Sequence, residues 1–229
     1  MTDDQQKKPT LNPDDFVITR KRKKYRFAHF ANATNCFELE EWQALAGRRD
    51  FANAALEVGA GTGLFLVELA ALNPDTNYIA VDVKADRLQK GARLALERGI
   101  DNIFFVRARA DQLLELMPAG SVAQLWLTFS DPFPKKRDAK RRLTAPGFLK
   151  IYKKLLVDEN AQLLIKTDDH ALVDWSLEQL VAGGWHITQL SHDLHDSNLP
   201  SEYKIMTTYE RKWTTEGRMI GFVAANKLS

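Results

Sequence analysis

The sequence holds one cysteine, Cys36, in 229 residues. That excludes an intramolecular disulfide framework and a cysteine-rich zinc site, and it suits a reducing cytoplasm. No apolar run approaches the roughly 20 residues that a membrane-spanning helix needs. The first dozen residues are too polar for a secretory signal. A soluble, cytoplasmic protein with no membrane partner is therefore expected. Charge of one sign is also scarce: 32 Lys and Arg against 30 Asp and Glu leave a net +2. Any attraction to a polyanion must come from clustering rather than from the total. The five histidines, His29, His170, His186, His192 and His195, show no metal-ligand spacing with acids or cysteines. The run His192-Asp193-Leu194-His195-Asp196 is expected to be a polar surface loop, and no metal is expected.

What is present is ordinary globular material. A hydrophobic content of 45% supports one domain with a substantial core and an appendage. Residues 1–30 are polar and lack a sustained apolar period, so they are expected to form a mobile basic arm ending in Arg20-Lys21-Arg22-Lys23-Lys24-Tyr25-Arg26. Residues 31–229 would form a single domain, entered by a helix over 38–48. From Ala54 onward, short apolar runs alternate with helical patterns. The predicted strands are 55–58, 78–83, 103–106, 122–129, 162–167, 186–190 and 219–224; the predicted helices are 63–72, 85–98, 110–117, 146–156 and 169–182. This is an α/β pattern: a seven-stranded, mostly parallel sheet with helices on both faces. The last two strands have no long helix between them, so the final one is expected to return antiparallel.

Leu56-Glu57-Val58-Gly59-Ala60-Gly61-Thr62-Gly63 ends the first of these strands and opens a helix. Its spacing is G-x-G-x-G, not the G-x-G-x-x-G of dinucleotide binders. Glu57 would repel a pyrophosphate but suits a cation carrying ammonium and sulfonium groups, such as S-adenosylmethionine. Asp82 ends the next strand, where an acid commonly grips ribose hydroxyls. The G-x-G-x-G spacing and Glu57 disfavour a nicotinamide oxidoreductase.

A second constellation begins where the strand over 122–129 delivers Asp131 to a turn bounded by Pro132 and Pro134. Phe133 offers a ring on which a base could stack. Lys135, Lys136, Arg137, Lys140, Arg141 and Arg142 follow as a dense basic block suited to phosphates. Together with Arg22, Lys23, Lys24 and Arg26 they form the expected RNA-binding patch. A fixed acid beside a nucleoside-cofactor loop and a positive surface points to methyl transfer onto a nucleic acid.

Three blocks also resemble the bacterial tRNA (guanine-N7)-methyltransferase family, whose fold is the Rossmann-like class I methyltransferase fold. They are L-E-V-G-A-G-T-G; F-S-D-P-F-P-K-K-R-D-A-K-R-R-L, similar to F-P-D-P-W-P-K-K-R-H-x-K-R-R-L; and Thr207-Thr208-Tyr209-Glu210, similar to T-E-Y-E. The resemblance implies transfer of a methyl group from S-adenosylmethionine to N7 of a guanosine in the variable loop of tRNA. It implies tRNA as the partner and no obligate protein partner, the chain acting as a monomer or homodimer. Glu57, Gly59, Gly61 and Asp82 would hold the cofactor. Asp131 would be the active-site acid and also face the cofactor. Lys135, Asp168, Thr207, Thr208, Tyr209 and Glu210 would bind the substrate guanine. The chain departs from the family where an acid or amide usually meets the adenine: Arg109 stands there, and either the Asp111 carboxylate or the Ala110 backbone would take the contact. Ser130, Phe133, Asp138 and Thr208 replace the usual proline, tryptophan, histidine and glutamate. The alternatives are a methyltransferase of the same fold acting on other RNA, DNA or protein, and a non-catalytic RNA-binding module. Intact Glu57, Asp82 and Asp131 argue against the last.

Overall fold

The computed structural model describes residues 10–46 and 51–228. Among the described residues eight strands form one sheet: β1 (Cys36–Glu38), β2 (Ala54–Val58), β3 (Tyr78–Asp82), β4 (Ile103–Arg107), β5 (Val122–Thr128), β6 (Gln162–Thr167), β7 (Trp185–Ser191) and β8 (Gly221–Lys227). Their order across the sheet is β1-β4-β3-β2-β5-β6-β8-β7. All neighbouring pairs are parallel except those of β8, which runs antiparallel to β6 and to β7. The helices are α1 (Lys21–Asn32), α2 (Leu39–Ala46), α3 (Leu64–Leu72), α4 (Ala85–Glu97), α5 (Leu113–Leu116), α6 (Pro146–Leu155), α7 (His170–Ala182) and α8 (Thr208–Thr215).

Burial explains the strand chemistry. Every residue of β2 is buried, as a central parallel strand covered on both faces requires. The edge strand β7 buries only Trp185 and then alternates exposed with partly buried residues. Two apolar clusters flank the sheet. One gathers Trp42, Leu113, Leu149, Leu155 and Leu180 with the strand residues of one face. The other gathers Phe30, Phe65, Leu88, Ala92 and Tyr203 on the opposite face. Helix α4 shows how closely the layers approach. It buries Ala85, Leu88, Gly91, Ala92 and Ala95 on one stripe. A Cβ added at Gly91 would lie 2.3 Å from the Thr62 carbonyl oxygen, so only glycine lets α4 seat against the loop after β2.

The structure departs from the sequence expectation at the sheet edges, in the N-terminal arm and in the helix expected over 110–117, of which only Leu113–Leu116 is α-helical. The sheet has eight strands rather than seven, because the short β1 adds to the edge beside β4. The final strand begins at Gly221, where it pairs with Thr167, and runs on to Lys227. The expected mobile arm is corrected over residues 21–30: these belong to α1, which buries Ala28 and Phe30. The Arg107 guanidinium also lies 5.0 Å above the Phe27 ring. Apolar residues confined to the second half of α1 are enough to dock it. Residues 1–9 of that expected arm, and 47–50 at the end of the predicted second helix, lie outside the described residues.

Candidate functional site

The chain winds outward from β2 in both directions, so the C-terminal ends of β2, β3 and β5 meet where the strand order reverses. In open α/β sheets this is where ligands bind. The loop after β2 is anchored by Gly59 and Ala60, whose N–H groups donate to the Val81 carbonyl at 2.8 and 3.0 Å. Gly61 takes φ +57°, and a Cβ there would meet nothing within 4 Å, so the loop leaves an open cradle. Asp82 shapes that cradle: its carboxylate accepts the Gly61 N–H at 2.9 Å and the Lys84 N–H at 2.8 Å.

Glu57 lies under the loop, 1% exposed. Its Oε1 accepts the Thr128 hydroxyl, and its Oε2 is buried with no hydrogen-bond partner among the described residues. Burial pushes its carboxyl up to about 8; the Thr128 bond pulls it back, Asp82 raises it further and Lys166 lowers it. A buried acid with an unpaired oxygen beside an open glycine loop is a polar group with unspent hydrogen-bonding capacity, which calls for an explanation.

At the end of β5 the chain turns sharply. Phe129 and Phe133 adopt φ of 49° and 42°, a conformation strained for aromatic residues and concentrated at functional positions. They bracket Asp131, which is exposed. Phe129 is held by its N–H bond to the Lys166 carbonyl at 2.7 Å. Lys135 is exposed and immediately precedes the 3-10 helix Lys136–Arg141, with no capping bond from its side chain. Lys136, Arg137 and Lys140 are exposed. Arg141 lays its guanidinium 4.3 Å over the Phe133 ring. Asp138, where the family has histidine, sits 3.9 Å from Arg137 and 3.7 Å from Arg141. Arg142 turns the other way and is partly buried. It donates to the Pro132 and Phe133 carbonyls at 2.8 and 3.2 Å.

The late Thr207–Glu210 element is a helix start. Thr207 is the N-cap of α8: its hydroxyl accepts the Glu210 N–H at 2.9 Å, and Glu210 accepts the Thr207 N–H at 3.1 Å. Glu210 is fully buried. Its Oε1 lies 2.9 Å from Lys166 Nζ and 2.8 Å from His195 Nε2. Lys166 is likewise fully buried and donates to the Ile205 carbonyl at 2.8 Å. Desolvation lowers its pKa, and Glu210 opposes that. Glu210 therefore ties α8 to β6 and to the 192–205 segment, and His195 is part of that tie rather than of a free surface loop. Thr207 and Glu210 spend their side chains on each other and on this network. Tyr209 remains half exposed, 5.2 Å from the Phe129 ring and 5.5 Å from Trp213. The Thr208 side chain lies outside the described atoms.

Because β8 is antiparallel, its first residue arrives at the C-terminal edge of β6 and brings Arg218 with it. Arg218 pairs with Asp168 at 2.8 Å and stacks 3.5 Å over Trp213. Phe129, Tyr209, Trp213, Arg218 and Asp168 thus form a continuous wall beside the turn that carries Asp131. At the end of β4, Arg109 and Asp111 form an ion pair with each other on the surface. The structure so gathers Glu57, Gly59, Gly61, Asp82, Arg109, Asp111, Asp131 and Asp168 on one edge of the sheet.

Sequence reasoning missed Lys166, His195, Arg218 and α8 itself. The spacing Thr207-x-x-Glu210 was the available signal for the helix. Nothing local marks the other three, since each is defined by a partner at least 15 residues away. Among the described residues no group of three or more His, Cys, Asp or Glu could hold a metal. None of the described helices is long and apolar enough to cross a membrane.

Comparison with known proteins is consistent with this geometry. A family model described as "Putative methyltransferase" matches residues 52–222. A tRNA (guanine-N(7)-)-methyltransferase of Cytophaga hutchinsonii is 37% identical over 213 residues, covering 89% of this chain and 96% of that protein. Among solved structures, the 16S rRNA methyltransferase KamB superposes with a TM-score of 0.61 at 17% identity, covering 83% of this chain and 94% of that one. A SAM-dependent methyltransferase from Aquifex aeolicus gives 0.54 at 14% identity, covering 95% and 100%.

Proposed function

The chain belongs to the methyltransferase family matched over residues 52–222, and from that membership we propose that it transfers a methyl group from S-adenosylmethionine to N7 of a guanosine in the variable loop of tRNA, in the cytoplasm. The observation that carries this reading is the exposed acid Asp131 between two strained aromatics, on the same sheet edge as an open glycine cradle and an unpaired buried carboxyl. The likeness to the C. hutchinsonii enzyme supplies the substrate.

The residues fit the cofactor. Glu57 Oε2 is an orphaned acceptor suited to an ammonium group, the Gly59–Gly61 loop leaves room for close approach, and Asp82 has lone pairs beyond its two backbone bonds for ribose hydroxyls. Arg109 stands where the adenine contact is expected and ion-pairs with Asp111 two residues on, which neutralises that carboxylate and leaves the contact to Asp111 or to the Ala110 backbone. When bound, the cofactor supplies an electrophilic methyl group on a sulfonium.

Guanine N7 already presents a lone pair in the neutral base. No general base is needed, so the chain's tasks are positioning and charge. Asp131 holds the guanine by its N–H groups and favours the purine as it becomes cationic. Tyr209 and Phe133 provide ring faces that offset the few kcal/mol, roughly, of unstacking the target base. Asp168, braced by Arg218, closes the far side of the guanine site, and Lys135 meets the adjoining phosphate. Thr207 and Glu210 shape that site by fixing the start of α8. Lys136, Arg137 and Lys140 with Arg22 and Lys23 attract the RNA backbone.

The test uses purified protein, tRNA lacking the modification and methyl-labelled S-adenosylmethionine, followed by mapping of the labelled base. Label at N7 of one guanine is expected. Label on another base or polymer would keep the fold and cofactor and overturn the substrate.

A further inference from the structure

The basic block reads in sequence as one surface, but the structure divides it. Lys136, Arg137 and Lys140 are exposed. Arg142 folds back ten residues to the turn that carries Asp131. Its Nε donates to the Pro132 carbonyl at 2.8 Å and its Nη2 to the Phe133 carbonyl at 3.2 Å. One face of the guanidinium lies 4.4 Å from the Trp175 ring on α7. Two residues on, a buried Thr144–Ser176 hydroxyl bond of 2.8 Å pins the same segment to α7. Arg142 is thereby anchored on the helix layer and reaches the turn from a fixed base.

The turn needs such a brace. Phe133 is held at φ 42°, and Pro132 and Pro134 bring no N–H groups with which the turn could bond itself. A planar guanidinium can serve two carbonyls while stacked on an indole; a lysine ammonium cannot do both. With two donors and one face committed, Arg142 is the cation of the block least free to meet a phosphate.

We infer that Arg142 is a positioning residue of the methyl-transfer site, holding the turn that presents Asp131, while phosphate contact falls to its exposed neighbours. This rests on the proposed role of Asp131. The experiment compares R142K, R142A and R137A in the full-length protein by three readouts. These are single-turnover methyl transfer at saturating tRNA, the salt dependence of tRNA binding, and hydrogen exchange over residues 129–137. W175A joins them as a variant that removes the stack without changing charge. Melting curves confirm that each variant is folded.

For R142A, transfer at saturation should fall on the order of 10²-fold, exchange over 129–137 should quicken, and the salt slope should match wild type. R142K should lose most of the same rate despite keeping its charge, and W175A should move in the same direction. R137A should flatten the salt slope by about one ion with exchange unaltered. Wild-type exchange and transfer in R142K, or a flattened slope in R142A with transfer at saturation intact, would make Arg142 a phosphate ligand and overturn the inference. If wild type transfers no methyl to tRNA, the proposed function fails, while the exchange measurement still decides whether Arg142 holds the turn.

Discussion

Glu57 carries a carboxyl that burial pushes up to about 8, and its Oε2 has no partner among the described residues. In the unliganded protein it is therefore mostly protonated near neutrality. Its folded value lies above the ordinary 4.5, so the native state binds the extra proton, and the contribution to stability is lost as pH rises from about 4.5 through about 8. A cationic ligand group favours the carboxylate instead. Binding of S-adenosylmethionine is thus predicted to release a proton, and affinity to rise between about pH 5.5 and 7, below the usual range in which an α-amine loses its own charge. Calorimetry in buffers of different ionisation enthalpy reads the proton directly. Glu57→Gln should abolish both effects; a pH-independent wild-type affinity would remove Glu57 from cofactor binding. Asp131 is tested on the rate. Asp131→Asn keeps the shape and removes the charge, so single-turnover transfer should drop by about 10²–10³-fold, the scale of a lost transition-state electrostatic contact. Near-normal transfer in that variant would mean the acid only lines the site.

Helix α8 and strand β6 are joined by a buried pair, Lys166 with Glu210, with both side chains fully enclosed. Removing Lys166 leaves the buried Glu210 carboxylate with only His195 and the Thr207 N–H against it, and breaking such a buried pair costs about 3–5 kcal/mol. Lys166→Ala should therefore lower the melting temperature by roughly 6–20 °C for a chain of this size. Thr207→Ala, which deletes only the cap, should cost about 1 kcal/mol. A change in K166A no larger than that of the cap would mean the pair is not what holds α8. The same elements show where the sequence was and was not legible. The parallel strands were readable because their apolar runs are continuous and bounded by glycine or acid, as in Ala54–Val58. Strand β1 was not, because three residues make no pattern. Helix α1 was hidden because its first half is wholly cationic or exposed and its docking rests on Phe27, Ala28 and Phe30. The acids of the site were visible from their positions at strand ends. Their braces, Arg218 on Asp168 and Arg142 on the Asp131 turn, were not, because a guanidinium in a basic run has no sequence mark of the direction it faces.

Across the whole molecule, one sheet edge collects the chemistry and the helical layers supply the attraction. Strand order brings the ends of β2, β3 and β5 together, and the antiparallel β8 adds Arg218 to the same edge. With a net charge of only +2, association with RNA must depend on local fields, which salt screens within about 10 Å at 0.1 M. Helix α1 is the element whose contribution is separable from the chemistry. It docks through its apolar half, Lys24 is engaged with Asp14 at 3.2 Å, and Arg22 and Lys23 stand exposed. Replacing Arg22 and Lys23 by alanine preserves helix propensity and removes two cations from solvent. If both meet phosphates, the logarithmic salt dependence of tRNA binding should flatten by roughly 0.7–0.9 per contact, and affinity at low salt should fall with it. A double variant with the wild-type slope would mean that α1 serves only to cover α4 and the sheet edge, leaving Lys136, Arg137 and Lys140 to carry the electrostatic capture of RNA.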